Sequence, residues 1–386
     1  MQGCAVGSKG SRKLTELQDK EGEPDPLMDS RRICSTMNIA ELQNLDLRGE
    51  LKMKNLENVR SNVGSAKDAN LKDKRHIQSL NPIWNDCDDV TIRENADGIA
   101  ECLQPNSKLK KLAIENYMGS KLPSWLINSY LANLVELSLF RCHRCVQLPS
   151  LEKLPSLQTL AIDEMNATMY FCNDSEQKGR FILPYLKKLK VDDTPGLINL
   201  PDLPSIESLE LEFCKEEILI SATKITPPLK NFVISGFVKL TSFPQGLLRN
   251  KTHLLSLEIS NCHKLESFSH ERKSLSSLQS LCITNCPEIK SLSELEGLKS
   301  LMSLGIDRCD CLLSLPEGLK ALKSLEHWSI SNCENIAALP AAMQHLTGLH
   351  TLHVWSCPNF VTLPGWLGNL VELREMEFGI ARIYTV

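Results

Sequence analysis

LMSLGIDRCDCLLSLPEGLKALKSLEHWSISNCENIAALP, residues 301–340, states one phrase twice. Leu301, Leu304 and Ile306 return as Leu325, Trp328 and Ile330, Cys309 returns as Cys333, and Leu315-Pro316 returns as Leu339-Pro340. The fourth and sixth residues of the phrase alternate with polar ones, which predicts a short strand with one apolar face. The cysteine marks the turn that leaves the strand. The Leu-Pro pair predicts an extended or single-turn return segment, because proline disfavours helix in the residue before it.

Outward from this stretch, the phrase starts at Leu134, Leu157, Leu186, Ile206, Leu229, Leu254, Leu278, Leu301, Leu325, Leu349 and Leu373, in steps of 20 to 29 residues. Cysteine stands eight residues after the start at Cys142, Cys214, Cys262, Cys286, Cys309, Cys333 and Cys357. Leu148-Pro149, Leu200-Pro201, Phe243-Pro244 and Leu363-Pro364 extend the Leu-Pro row. This period, with Asn or Cys at that place, is the signature of a leucine-rich repeat. One repeat cannot bury its apolar face alone, so repeats must stack, their strands lying about 4.8 Å apart in one parallel sheet. The expected fold class is α/β: a leucine-rich-repeat solenoid, or horseshoe, of about thirteen or fourteen units, with a parallel concave β-sheet and an irregular or short-helix convex side.

Three stretches follow from the pattern. Residues 1–40 show no period, and KEGEPDP within them predicts an irregular, flexible segment. Residues 41–133 hold atypical repeats: Leu51 and Met53, Ile77 and Leu80, then Leu109, Leu112 and Ile114. Pro82 predicts a strand edge or break, and Val63, Ala66 and Ala69, after a cap at Ser61 or Asn62, predict one helix. Residues 134–386 carry the regular repeats.

Composition narrows the function. The chain has 386 residues, 42% of them hydrophobic, and a net charge of -4. That supports a long core and argues against a dedicated nucleic-acid binder, which is normally basic. No apolar run approaches the roughly 20 residues of a membrane helix. No apolar stretch follows the charged start, and Gln2 stands where myristoylation needs glycine, so no membrane association is expected and the cytoplasm, with access to the nucleus, is the expected compartment.

The 15 cysteines follow the repeat rather than a disulfide framework, and read as buried, reduced and structural. Cys142-His143-Arg144-Cys145 has no second ligand pair at zinc spacing, so no metal or cofactor is expected. No GxSxG-type nucleophile occurs, so no enzyme is expected. Asn166, Asn173 and Asn250 head glycosylation triplets that matter only in a secreted chain.

LRGELKMKNLENVRSNVGSAKDANLKDKRHIQSLNPIWND, LQPNSKLKKLAIENYMGSKLPSWL and LMSLGIDRCDCLLSLPEGL resemble the repeat domain of plant coiled-coil, nucleotide-binding, leucine-rich-repeat disease resistance proteins of the resistance-gene-analogue type. The resemblance covers about residues 41 to 386. It implies a recognition module of innate immunity whose partners are a pathogen effector or a guarded host protein, and a nucleotide-binding domain in cis or in trans. No GxxxxGK[ST] phosphate loop occurs, so nucleotide binding is not carried over. The alternative is the substrate adaptor of a ubiquitin ligase, as in F-box leucine-rich-repeat proteins, which needs an upstream helical F-box.

Strand residues between the inward positions point to the concave face. The candidate protein-binding residues there are Phe140, Arg141, Lys188, Lys190, Glu210, Glu212, Asp307, Arg308, His327, His353 and Trp355. Lys188 and Lys190 stand one repeat from Glu210 and Glu212, a place for cross-strand ion pairs. Trp355, with His327, His353, Asp307 and Arg308 near it, has the composition of a binding hot spot.

Overall fold

The structure, a computed structural model, describes residues 32–33, 39–59, 63–85, 90–126, 130–146, 148, 151–168, 171, 182–225, 228–267, 275–360 and 362–379. Most of residues 1–40, the cap positions 61–62, Pro149 and Asn173 lie outside them.

Fifteen strands form one parallel sheet in strict chain order. The first four are β1 (Arg32–Ile33), β2 (Gly49–Met53), β3 (Ile77–Pro82) and β4 (Lys111–Glu115). Then come β5 (Glu136–Phe140), β6 (Thr159–Asp163), β7 (Lys188–Asp192), β8 (Ser208–Glu212) and β9 (Asn231–Ser235). The last six are β10 (Ser256–Ser260), β11 (Ser280–Thr284), β12 (Ser303–Asp307), β13 (His327–Ser331), β14 (Thr351–Trp355) and β15 (Glu375–Gly379). The chain is a leucine-rich-repeat solenoid, as its period requires.

From β4 onward each strand pairs residue for residue with the next. Leu257, Leu281, Leu304, Trp328 and Leu352 form one row, and Ile259, Ile283, Ile306, Ile330 and Val354 form another. All ten are buried. The two rows are the fourth and sixth positions of the phrase, and side chains at alternate strand positions share a face. At about 25 cal/mol per Å² of apolar surface removed from water, this shared interior is the main stabilising term.

From β4 to β14 each strand is followed by a residue with a left-handed backbone, just before the cysteine position. Asn116, Arg141, Phe213, Asn285, Arg308, Asn332 and Ser356 have φ between 49° and 54° or close to it, and Gly236 has φ 74°. This corner lets the amide of each such residue reach the carbonyl closing the next strand, as in Asn285 N to Asp307 O at 2.8 Å and Asn332 N to Trp355 O at 2.9 Å. The thiol after the corner donates back to the carbonyl two residues earlier: Cys333 Sγ lies 3.2 Å from Ser331 O, and Cys214 Sγ 3.2 Å from Glu212 O. The cysteine row is thus buried and hydrogen-bonded. Burial pushes the Cys145, Cys214 and Cys309 thiols up to about 12, so each stays protonated and unreactive.

The convex return segments are short. Glu317–Ala321 and Ala341–His345 are 3-10 turns that begin after the extended residues Pro316 and Pro340. Leu315 and Leu339, just before those prolines, are buried. In the last of these segments, Leu363 is exposed instead.

The first rungs differ. Where the sequence predicts one helix between β2 and β4, two form: α1 (Val63–Asp68) and α2 (Val90–Cys102). Ala66 and Ala69 are buried as their spacing requires, and Ala96, Ile99, Ala100 and Leu103 do the same for α2. Pro82 ends β3 and interrupts its ladder. β3 and β4 are in register only at Ser79 with Lys111 and Leu80 with Leu112, and a single bridge joins Ile83 to Glu115 beyond the proline.

Candidate functional site

The concave positions fall into three rows, two, four and six residues after the start of each repeat. The row nearest the corner is the most enclosed. Ser235, Ser260, Asp307 and Ser331 on it are buried. Ser260 Oγ donates to Ser235 Oγ at 2.9 Å, and Ser331 Oγ donates to Asp307 Oδ1 at 2.7 Å. Asn332 Nδ2 donates to the same Asp307 oxygen at 2.7 Å. Asp307 therefore holds the corner of the next repeat. Its Oδ2 has no hydrogen-bond partner and faces the exposed Arg308 guanidinium at 3.6 Å.

In the middle of the sheet charges crowd. Lys190 on β7 reaches Asp192 Oδ2 at 3.1 Å and Glu212 Oε1 of the next strand at 3.2 Å. Burial works against the Lys190 ammonium, yet Glu212 and Asp192 outweigh it and hold its pKa above the ordinary lysine value. Glu210 stands opposite Lys190 on β8. Lys188 is exposed at the strand's start. Burial and the neighbouring Asp192 push the Asp163 carboxyl up to about 6. Burial raises Glu212 and Glu258 as well, against the pull of Lys190 on Glu212. Of the four residues expected to pair across the strands, Lys190 and Glu212 do so, and Asp192 on the same strand as Lys190 joins them.

Phe140 and Arg141 make a separate pair. The Arg141 guanidinium lies 4.9 Å from the Phe140 ring centroid, and its Nε donates to Glu164 Oε2 at 2.9 Å.

The group around Trp355 is looser than its spacing implies. His327 is exposed and its Nδ1 lies 2.9 Å from Thr351 Oγ1 of the next strand. His353 is two residues further along β14, half-buried, and faces β15. Trp355 is 43% exposed. Its ring lies across Gly379 of β15, where a Cβ would come within 2.1 Å of ring carbon Cε3. A glycine across from the tryptophan is the sequence signal for that placement. Phe213 rests on Gly236 in the same way and is also exposed.

Residues 39–165 match the family described as R13L1/DRL21 LRRs. This stretch is similar to that family of repeats. The matched stretch runs from the first 3-10 turn at Ile39–Asn44 to just past β6, so it includes both helices and the interrupted β3 ladder.

Beyond that match, the chain is similar to RGA2 of Solanum bulbocastanum, 32% identical over 59% of this chain and 24% of that protein. RGA1 of the same species is 33% identical over 58% of this chain and 24% of its own length. RPP13-like protein 1 of Arabidopsis thaliana is 29% identical over 72% of this chain and 26% of its own length. All three are named for disease resistance. The chain spans about a quarter of the length of these curated relatives. Among solved structures, a leucine-rich-repeat protein of Leptospira interrogans aligns over 89% of this chain and 85% of its own, with TM-score 0.42 and 19% identity. No helix among the described residues is long and apolar enough to cross a membrane.

Proposed function

We propose that this chain is a protein-recognition module of plant innate immunity. The concave face binds a pathogen effector, or a host protein that an effector has modified. The first repeats, up to about β4, restrain a nucleotide-binding switch domain supplied in cis or in trans. Binding then acts by shifting the conformational equilibrium of that switch, which requires that the partner prefer one of its states. The chain works by binding rather than by catalysis, in the cytoplasm with access to the nucleus. Its boundaries near residues 40 and 133 separate a leading segment, the regulatory repeats and the recognition array.

The observation that carries this reading is the likeness to repeats of proteins named for disease resistance. It favours the immune reading over the ubiquitin-ligase adaptor. The face offers three kinds of contact: the Phe140–Arg141 pair, the Lys190 charge cluster, and exposed Trp355 with Arg308, His327 and His353 nearby. Exposed tryptophan and arginine are the residues that most often dominate an interface.

The test is a binding measurement with a partner recovered from infected tissue and then purified. Trp355→Ala with His353→Ala is expected to weaken that partner by about tenfold or more. If every recovered partner binds the double variant as tightly as the unaltered chain, recognition through this end of the face is wrong.

A further inference from the structure

The last two strands bring together three side chains that could ligate a metal. His353 on β14 stands opposite Glu377 on β15, and Glu375 lies two residues earlier on the same face. His353 Nε2 is 3.5 Å from Glu375 Oε1 and 3.8 Å from Glu377 Oε2. One ligand atom from each residue falls within 4.8 Å of the other two. Nε2 itself is enclosed and has no hydrogen-bond partner.

Two carboxylates facing one imidazole nitrogen place three ligand atoms around one point, an arrangement that a cation between them would favour. Ligand atoms held about 2.0–2.2 Å from a tetrahedral ion stand roughly 3.4 Å apart. The distances from Nε2 are close to that spacing. The side chains are 29%, 57% and 48% exposed for His353, Glu375 and Glu377, so an ion can enter without unfolding the sheet.

We propose that His353, Glu375 and Glu377 form a divalent-cation site of one imidazole and two carboxylates, suited to zinc-class ions. The mixed nitrogen and oxygen donors suit zinc and its neighbours better than calcium or magnesium, which take oxygen alone. A bound ion ties β15 to β14 and leaves a fourth position open to water or to a partner's side chain. These ligands come from two repeats, and neither repeat holds a ligand motif alone. The site stands independently of the immune reading: it is judged by metal affinity, and the immune reading by partner affinity.

Zinc titrated into the whole chain, followed by calorimetry, tests this. One equivalent is expected to weaken by at least about tenfold in His353→Gln and in Glu375→Gln with Glu377→Gln. Zinc is also expected to slow amide exchange across residues 375–379 in the unaltered chain and not in either variant. Cobalt supplies a second probe, because Trp355 lies against β15 and its emission should be quenched only when the three ligands are present. Zinc binding that is unchanged in both variants, as it would be if thiols captured the ion, overturns the site. So does the absence of any zinc-dependent protection of β15. Should the double variant fail to fold, His353→Gln alone decides, since this side chain is only partly buried.

Discussion

The rungs from β11 to β14 and those from β2 to β4 share one sheet but cover its back differently. In the regular rungs a 3-10 turn of five residues suffices, as at Ser293–Gly297, Glu317–Ala321 and Ala341–His345. In the first rungs α1 and α2 replace it. Alanines and Ile99 on these helices pack into the interior, and Trp125 Nε1 donates to the Ala100 carbonyl at 2.9 Å. Tyr117 Oη meets Asp97 Oδ1 at 2.6 Å, fixing the return loop to α2. The strand rows are alike in both regions: Leu112 occupies on β4 the place of Leu304 on β12, and both are 1% exposed. A solenoid therefore tolerates a new return path so long as each strand delivers the same two inward side chains.

The largest expected effect tests that equivalence. Leu304→Ala and Leu112→Ala should each cost about 2–5 kcal/mol, from lost burial plus the cavity left behind. Denaturant titration, following one variant at a time, measures both. A cost at Leu112 several times smaller than at Leu304 would show that the helices, and not the shared row, hold the first rungs.

A smaller effect belongs to the corner, which both regions use: Asn116 follows β4 with φ 54°, and Asn332 follows β13 with φ 52°. Asn332→Val should cost about 1–2 kcal/mol, because a β-branched residue is strained there. Glycine at the same position is expected to cost less, although it too loses the bond to Asp307. Thermal melts of both variants give the order, and valine proving the milder change would break the account of the corner.

The smallest effect separates the charged middle of the face from both ends. Asp163 has its carboxyl pushed up to about 6, above the ordinary value of 3.8. The folded chain thus holds this proton more tightly than the unfolded chain. The stabilisation is complete below the unfolded value and is lost as pH rises through about 6. Asp163→Asn should raise stability by less than about 1 kcal/mol at neutral pH, since solvent screens a half-exposed group. It should leave stability unchanged near the unfolded value. Melts at the two pH values check the sign.

The repeat itself is plain in the residues because burial has a simple requirement: apolar groups at fixed steps. Leu257, Leu281 and Leu304 announce their row without any structure. The left-handed corner leaves a weaker trace. Asn116, Asn261, Asn285 and Asn332 suit it, since asparagine tolerates positive φ. Arg141, Phe213 and Arg308 occupy the same place and blur the signal. That is why Arg141 and Arg308 look like face residues in the sequence although their backbones turn the corner. The buried role of Asp307 is invisible in one repeat, because its partners Ser331 and Asn332 belong to the next. α2 is written in Ala96, Ile99, Ala100 and Leu103, but polar neighbours dilute so short a period. The pairing of Trp355 with Gly379 spans two repeats and depends on the ring's direction, which spacing does not encode.

The unbroken register from β4 to β15 has a further consequence for how such a molecule can change. Inserting or deleting one whole unit re-forms the same pairing on either side of the splice. The residues flanking it then move apart or together by one strand width, about 4.8 Å. Lineages can therefore retune the distance between surface points such as Phe140 and Trp355 in discrete increments, while no individual rung has to learn a new neighbour.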